Sequence, residues 1–97
     1  MSASKKSSGS SVWKIELRPA ASRSLAKLPG QAQQRIVDFL KKRVTQDPRR
    51  LGDALQGKLG GLWRYRVGDY RLICKIEDER ITVIVIEIGH RREIYRD

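Results

Sequence analysis

The chain is short of the residues on which several kinds of chemistry depend. Its one cysteine in 97 residues, Cys74, cannot close a disulfide within the chain. It stands among apolar neighbours in Leu72-Ile73-Cys74-Lys75-Ile76, the setting of a buried small hydrophobe rather than of a nucleophile, and a reducing cytoplasm fits that usage. The single histidine, His90, has no second ligand at metal-binding spacing, so no metal site is expected, and there is no Ser/His/Asp pattern. Long apolar runs are missing too. The longest, Ile81 to Ile88, is interrupted by Thr82 and Glu87 and falls far short of the roughly 18 residues a membrane helix needs, so no membrane partner is expected.

Acidic residues are the remaining shortage. Eleven Asp and Glu stand against 21 Lys and Arg, a net charge of +10 and a pI near 10.4, the footprint of a protein that binds a polyanion. Charge alone does not choose among RNA, DNA, an anionic membrane and an acidic protein, and some basic proteins are only well solvated. The length suits one core, with little room to enclose a bulky organic cofactor, and chemistry without a cofactor is expected on the surface of that core.

Residues 1–11 are Ser, Lys and Gly with almost nothing apolar, and read as a disordered tail with no hydrophobic signal region; residues 12–97 form the expected domain. Val12 to Leu17 alternates in character and reads as a first strand. Pro19 suits the first turn of a helix, Ala21, Leu25 and Leu28 share a face, and Pro29-Gly30 ends it. A second helix is expected from Gln31 to Gln46, with Ile36, Val37, Leu40 and Val44 as its apolar stripe and Lys41, Lys42 and Arg43 near its C-terminus, where the macrodipole favours cations. Arg49 to Gly61 is Gly-rich and reads as an irregular connection. Within it, Gly52 to Leu59 matches a phosphate-binding P-loop up to its last position, but Leu59 lacks the hydroxyl that holds magnesium, so ATP binding is not expected. Lys58 stays a candidate contact to phosphate.

Leu62 to Val67 and Tyr70 to Ile76 flank Gly68-Asp69, a two-residue hairpin loop. If Val67 pairs with Tyr70, Arg66 faces Arg71, and Arg64, Arg66 and Arg71 share one face with Lys75 further along. Trp63, Tyr65, Val67, Tyr70, Leu72, Cys74 and Ile76 form the other face, the one able to pack on the helices. Directly opposed like charges destabilise a sheet by a few tenths to about 1 kcal/mol, so folding alone would not choose Arg66 against Arg71; an anion between them would relieve the repulsion. The alternative, long arginine stems splayed into water with the repulsion screened, stays open. Ile81 to Ile88, apolar on both faces, reads as a central third strand of the meander. It leads into Gly89-His90-Arg91-Arg92-Glu93-Ile94-Tyr95-Arg96, where an imidazole, three guanidiniums, a carboxylate and a phenol fall within eight residues.

The order strand, two helices and meander, carrying Trp63-Arg64-Tyr65-Arg66, Gly68-Asp69-Tyr70-Arg71-Leu72 and Gly89-His90-Arg91-Arg92-Glu93-Ile94-Tyr95, resembles the RelE branch of the RelE/ParE toxins over nearly all of the chain beyond the tail. The resemblance implies an α+β fold (β-α-α-β-β-β) and the toxin of a type II toxin-antitoxin pair. Such a toxin is an endoribonuclease that cuts mRNA at the 16S rRNA of the ribosomal A site, blocks translation, and is silenced by a RelB-like antitoxin. It also implies roles: Arg64 and Arg66 as the basic groups of the second strand, Arg71 as the phosphate-gripping arginine, Arg91 as the catalytic arginine after Gly-x, and Tyr95 as a ring that stacks on a base; Arg92 is a further candidate contact to phosphate. Attack of a ribose 2'-hydroxyl on its neighbouring phosphorus needs a proton acceptor, cations around the transition state and a donor for the leaving 5'-oxygen. Arginine stays protonated and makes a poor base. His90 is therefore the natural base, with the surrounding cations favouring its neutral form; Glu93 is the second candidate. Two other functions remain open, a ParE-like inhibitor of DNA gyrase and a non-catalytic module that grips single strands.

Overall fold

A computed structural model describes residues 12–90 of the chain, apart from the side chain of Leu59. The expected tail, 1–11, lies outside the described residues, as do Arg91, Arg92, Glu93 and Tyr95. Strand β1 (Lys14–Leu17) leads into helix α1 (Pro19–Ala26), which begins on proline, as the missing N–H of that residue allows. Helix α2 (Gly30–Phe39) follows and passes into a wider π-helical turn, Leu40–Val44. The widening has a cause in the apolar stripe. Residues four apart drift by about 40° around an α-helix, and the wider turn offsets that drift, keeping Ile36, Leu40 and Val44 all buried. Thr45 closes the turn: its N–H donates to the Leu40 carbonyl, its hydroxyl to that of Lys41, and its own carbonyl accepts from Trp13 N–H at 2.9 Å, tying the helix end to β1.

The stretch read as an irregular connection holds more order than expected. It contains a two-residue strand β2 (Asp53–Ala54) and a 3-10 turn, Gly57–Leu59. The reason is pairing with the next strand: Asp53 and Ala54 sit opposite Arg64 and Trp63, and Leu55 N–H donates to the Leu62 carbonyl. Gly52, at φ +75°, lies so close over that strand that a Cβ would stand 2.2 Å from the Arg64 carbonyl oxygen, which only glycine tolerates. Strand β3 follows this segment instead of the helix that a P-loop requires.

Strands β3 (Trp63–Val67), β4 (Tyr70–Glu77) and β5 (Thr82–His90) form the antiparallel meander. The sheet order is β1-β5-β4-β3-β2, with β1 parallel to β5. The hairpin has the expected register, Val67 opposite Tyr70 and Arg66 opposite Arg71, around Gly68 at φ +61°, as a type II′ turn demands. Both helices cover one face. Ala21, Ile36, Leu40 and Val44 meet Tyr65, Leu72, Cys74, Val83, Val85 and Ile88 there, while the buried Tyr65 hydroxyl donates to the Pro48 carbonyl.

One irregularity decides where the chain's last described residues point. Between β4 and β5 the register shifts after Ile73: Ile73 pairs with Glu87 but Cys74 with Val85, leaving Ile86 as an extra residue. Such a bulge reverses the alternation of side chains beyond it. Val83 and Val85 face the helices before it, and Ile88 does so after it.

Candidate functional site

The face of the sheet away from the helices carries the arginines. Arg64 and Arg66 alternate on β3 with the buried Tyr65, and Arg71 stands directly across from Arg66. Their three guanidiniums belong to two adjacent rows of the ladder. In one row Arg64 lies between Asp53 and Ile73, with Glu87 next; in the other Arg66 and Arg71 are followed by Gly89. Gly89, which ends that row, carries no side chain and is buried, so the exposed cation of the row is Arg66.

The three arginines differ in how they are held. The Arg64 side chain, 20% exposed, donates from Nη2 to Asp53 Oδ2 at 2.9 Å. Its Nε and that of Arg71 are both buried, so these two guanidiniums are anchored along their stems. Arg66 is exposed, and no acceptor among the described residues pairs with it. Lys75, expected further along the same face, has Glu77 at 3.4 Å and belongs to a different cluster. Lys58 is exposed on the 3-10 turn.

His90 is where the sequence reading needs correcting. It was expected beside the arginines, but the bulge at Ile86 turns it to the helix side, opposite Tyr70, with the two rings edge to face at 5.9 Å. Its neighbours there are Ser24 and Lys27. Of the described arginines, Arg64, Arg66 and Arg71 thus lie on the other face of the sheet from His90, and the described cation beside it is Lys27. Arg91, Arg92, Glu93 and Tyr95 lie outside the described residues. Cys74 is fully buried, and burial pushes its thiol pKa far up, which suits packing and not nucleophilic attack. No group of three or more His, Cys, Asp or Glu among the described residues is placed to hold a metal ion, and no described helix is long and apolar enough to cross a membrane.

Two neighbours of the site escape sequence reasoning. Asp53, eleven residues from Arg64, meets it only because β2 pairs with β3. Arg35 of α2 reaches over the hairpin loop, its guanidinium within 3.5 Å of where a Cβ on Gly68 would be. Neither contact has a local signal, since both join separate elements.

The family model for the ParE toxin of type II toxin-antitoxin systems, parDE, matches residues 15–95. The chain belongs to the RelE/ParE superfamily of type II toxins. Toxin RelG of Mycobacterium tuberculosis is 34% identical over 84 residues, which cover 87% of this chain and 97% of RelG. Toxin RelE of the same organism is 33% identical over 84 residues, 87% of each chain. Among solved structures, the RelBE2 toxin-antitoxin complex of M. tuberculosis contains a chain that superposes with a TM-score of 0.80 at 31% identity, covering 87% of this chain and 97% of that one. The RelE/ParE fold thus extends over β1 to β5, and the arginine face lies on its sheet.

Proposed function

We propose that this toxin is a metal-independent endoribonuclease that cleaves mRNA in the ribosomal A site and thereby stops translation in the cytoplasm. The observation that carries the reading is the opposed pair Arg66 and Arg71, with Arg64 in the next row of the same face. Similarity to proteins named RelG and RelE supports it. Arg66 and Arg71 hold the scissile phosphate and stabilise the charge that builds on it as the 2'-hydroxyl attacks; preorganised donors of this kind are worth most where water is excluded. Arg64, shared with Asp53, grips a neighbouring phosphate, as does Lys58. Arg91 and Arg92 add cations, and Tyr95 stacks on a base. His90 and, as second candidate, Glu93 are the proposed proton acceptors; because His90 stands across from Tyr70, its part in the reaction requires the RNA to reach around the end of β5. So sparse a site depends on the ribosome to align the mRNA for in-line attack, since orientation supplies several kcal/mol of a barrier. A RelB-like antitoxin silences the toxin by covering this cationic face; similar toxins are known in complexes with RelB antitoxins.

The test is primer extension on an mRNA translated in a purified system, with wild type, Arg71→Ala and a control lacking ribosomes. Ribosome-dependent cuts that vanish in the variant are expected. A second reading rests on the family model's own description as a ParE toxin: a ParE-like toxin would act on DNA gyrase, break DNA in cells and leave mRNA whole. Intact mRNA together with DNA breaks would replace the first reading by the second.

A further inference from the structure

The bulge that turns His90 away from the arginines gives it a different company. On the helix side of the sheet, the end of α1, Tyr70 and the end of β5 border a half-open cleft of about 540 Å³, lined by Ser24, Lys27, Tyr70, Gly89 and His90 among others. Sites for small ligands span about 300–1,000 Å³, so the size suits one nucleotide. The chemistry is divided across the cleft. One wall offers two aromatic rings nearly perpendicular to each other, at 82°, a corner in which a planar base can stack on one ring and meet the edge of the other. The opposite wall offers an ammonium and a hydroxyl, the donors a phosphate takes. Tyr70 is shared with a second cleft of about 290 Å³ under Arg35 and the hairpin loop. A cation thus stands on either side of one aromatic platform, which is how single strands are gripped without regard to sequence.

We propose that the cleft formed by Lys27, Tyr70 and His90 binds one nucleotide unit, its base against the two rings and its phosphate on Lys27 and Ser24. The flanking Arg35 favours a nucleotide within single-stranded RNA over a free mononucleotide. Because the cleft lies on the opposite side of the sheet from Arg64, Arg66 and Arg71, its binding can be measured whether or not the arginine face cuts RNA.

The experiment titrates the full chain with AMP and with the 5'-phosphorylated dinucleotide pApA, following the ring signals of His90 and Tyr70 by NMR. Wild type is compared with Lys27→Gln, Lys27→Arg and Arg66→Gln. Both rings are expected to shift, Lys27→Gln to weaken binding about tenfold, the loss of one hydrogen-bonded charge, and Lys27→Arg to restore most of it. Arg66→Gln leaves ring-detected binding unchanged. Tighter binding of pApA than of AMP identifies a strand as the natural occupant, and equal binding identifies a free nucleotide. Rings that stay unmoved with both ligands, or a Lys27→Gln protein that binds as wild type, overturn the proposal. Lys27 is exposed at a helix end, so its variants fold and the negative result is readable.

Discussion

The open face of the sheet carries charge in opposite ways at its two ends. At the end where β4 turns into β5, Arg80 donates to Glu77 at 3.0 Å and to Glu16 at 3.2 Å, Lys75 stands 3.4 Å from Glu77, and nearby Arg49 grips both oxygens of Asp78. At the hairpin-loop end Arg66 faces Arg71, and Arg64 has Asp53 for a partner. One strand, β4, runs through both ends, so the difference does not come from the fold. Where sequence serves stability alone, cations come with carboxylates; Arg66, exposed and set against Arg71 with no acceptor among the described residues, was placed by another pressure. The largest test of that contrast is activity. Arg71→Ala is expected to lower ribosome-dependent cleavage by about 100-fold, as loss of one transition-state donor does, whereas Arg80→Ala leaves the cleavage pattern and rate as in wild type.

The same contrast reads out in stability at the compensated end. Ile81, the residue after Arg80, has φ +49°, a conformation that costs a β-branched residue about 1–2 kcal/mol. It is 36% exposed, so the packing lost in Ile81→Gly offsets the strain that it relieves, and the melting temperature is expected to change little. Arg80→Ala removes two exposed ion pairs and lowers stability only slightly, readable by urea titration at low salt and fading at high salt. Acid acts on the same groups. Hydrogen bonds from Arg80 hold the Glu77 carboxyl below its usual range, and those from Arg49 do the same for Asp78. A folded-state pKa below the unfolded one gives a contribution that is complete above the ordinary carboxylate range and lost as pH falls through the folded value. Stability should therefore drop below about pH 4, and less steeply in Arg80→Ala.

How much of this was legible in the sequence varies by element, for physical reasons. The hairpin could be read in full, because Gly68-Asp69 fixes the loop and alternation around Tyr65 and Leu72 fixes the faces; the register followed to the residue. The third strand could not. Val83 to Ile86 is apolar throughout, and a strand without alternation gives no sign of where a residue is added. The bulge at Ile86 was invisible, and with it the side on which His90 falls. The π-helical turn after Phe39 was hidden in the same way, since a stripe at i and i+4 continues across it. Asp53 was out of reach because an aspartate in a Gly-rich stretch has no local reason to pair with a strand. Local rules placed the arginines; contacts between elements decided what stands beside them.

The smallest effect is the most diagnostic, because it has the opposite sign from the others. Arg66 and Arg71 are directly opposed, and relieving that repulsion by Arg66→Ala should stabilise the fold by a few tenths to about 1 kcal/mol, seen as a higher urea midpoint at low salt. The gain should shrink as salt screens the pair, and it should shrink again when a short single-stranded RNA is present, since a phosphate between the guanidiniums already removes the repulsion in wild type. Cleavage must fall in that same variant. A residue that weakens the fold and strengthens the reaction is one that stability did not select. If Arg66→Ala instead lowers both, the guanidinium is part of the packing, and the distinction drawn between the two ends of the sheet fails at its central residue.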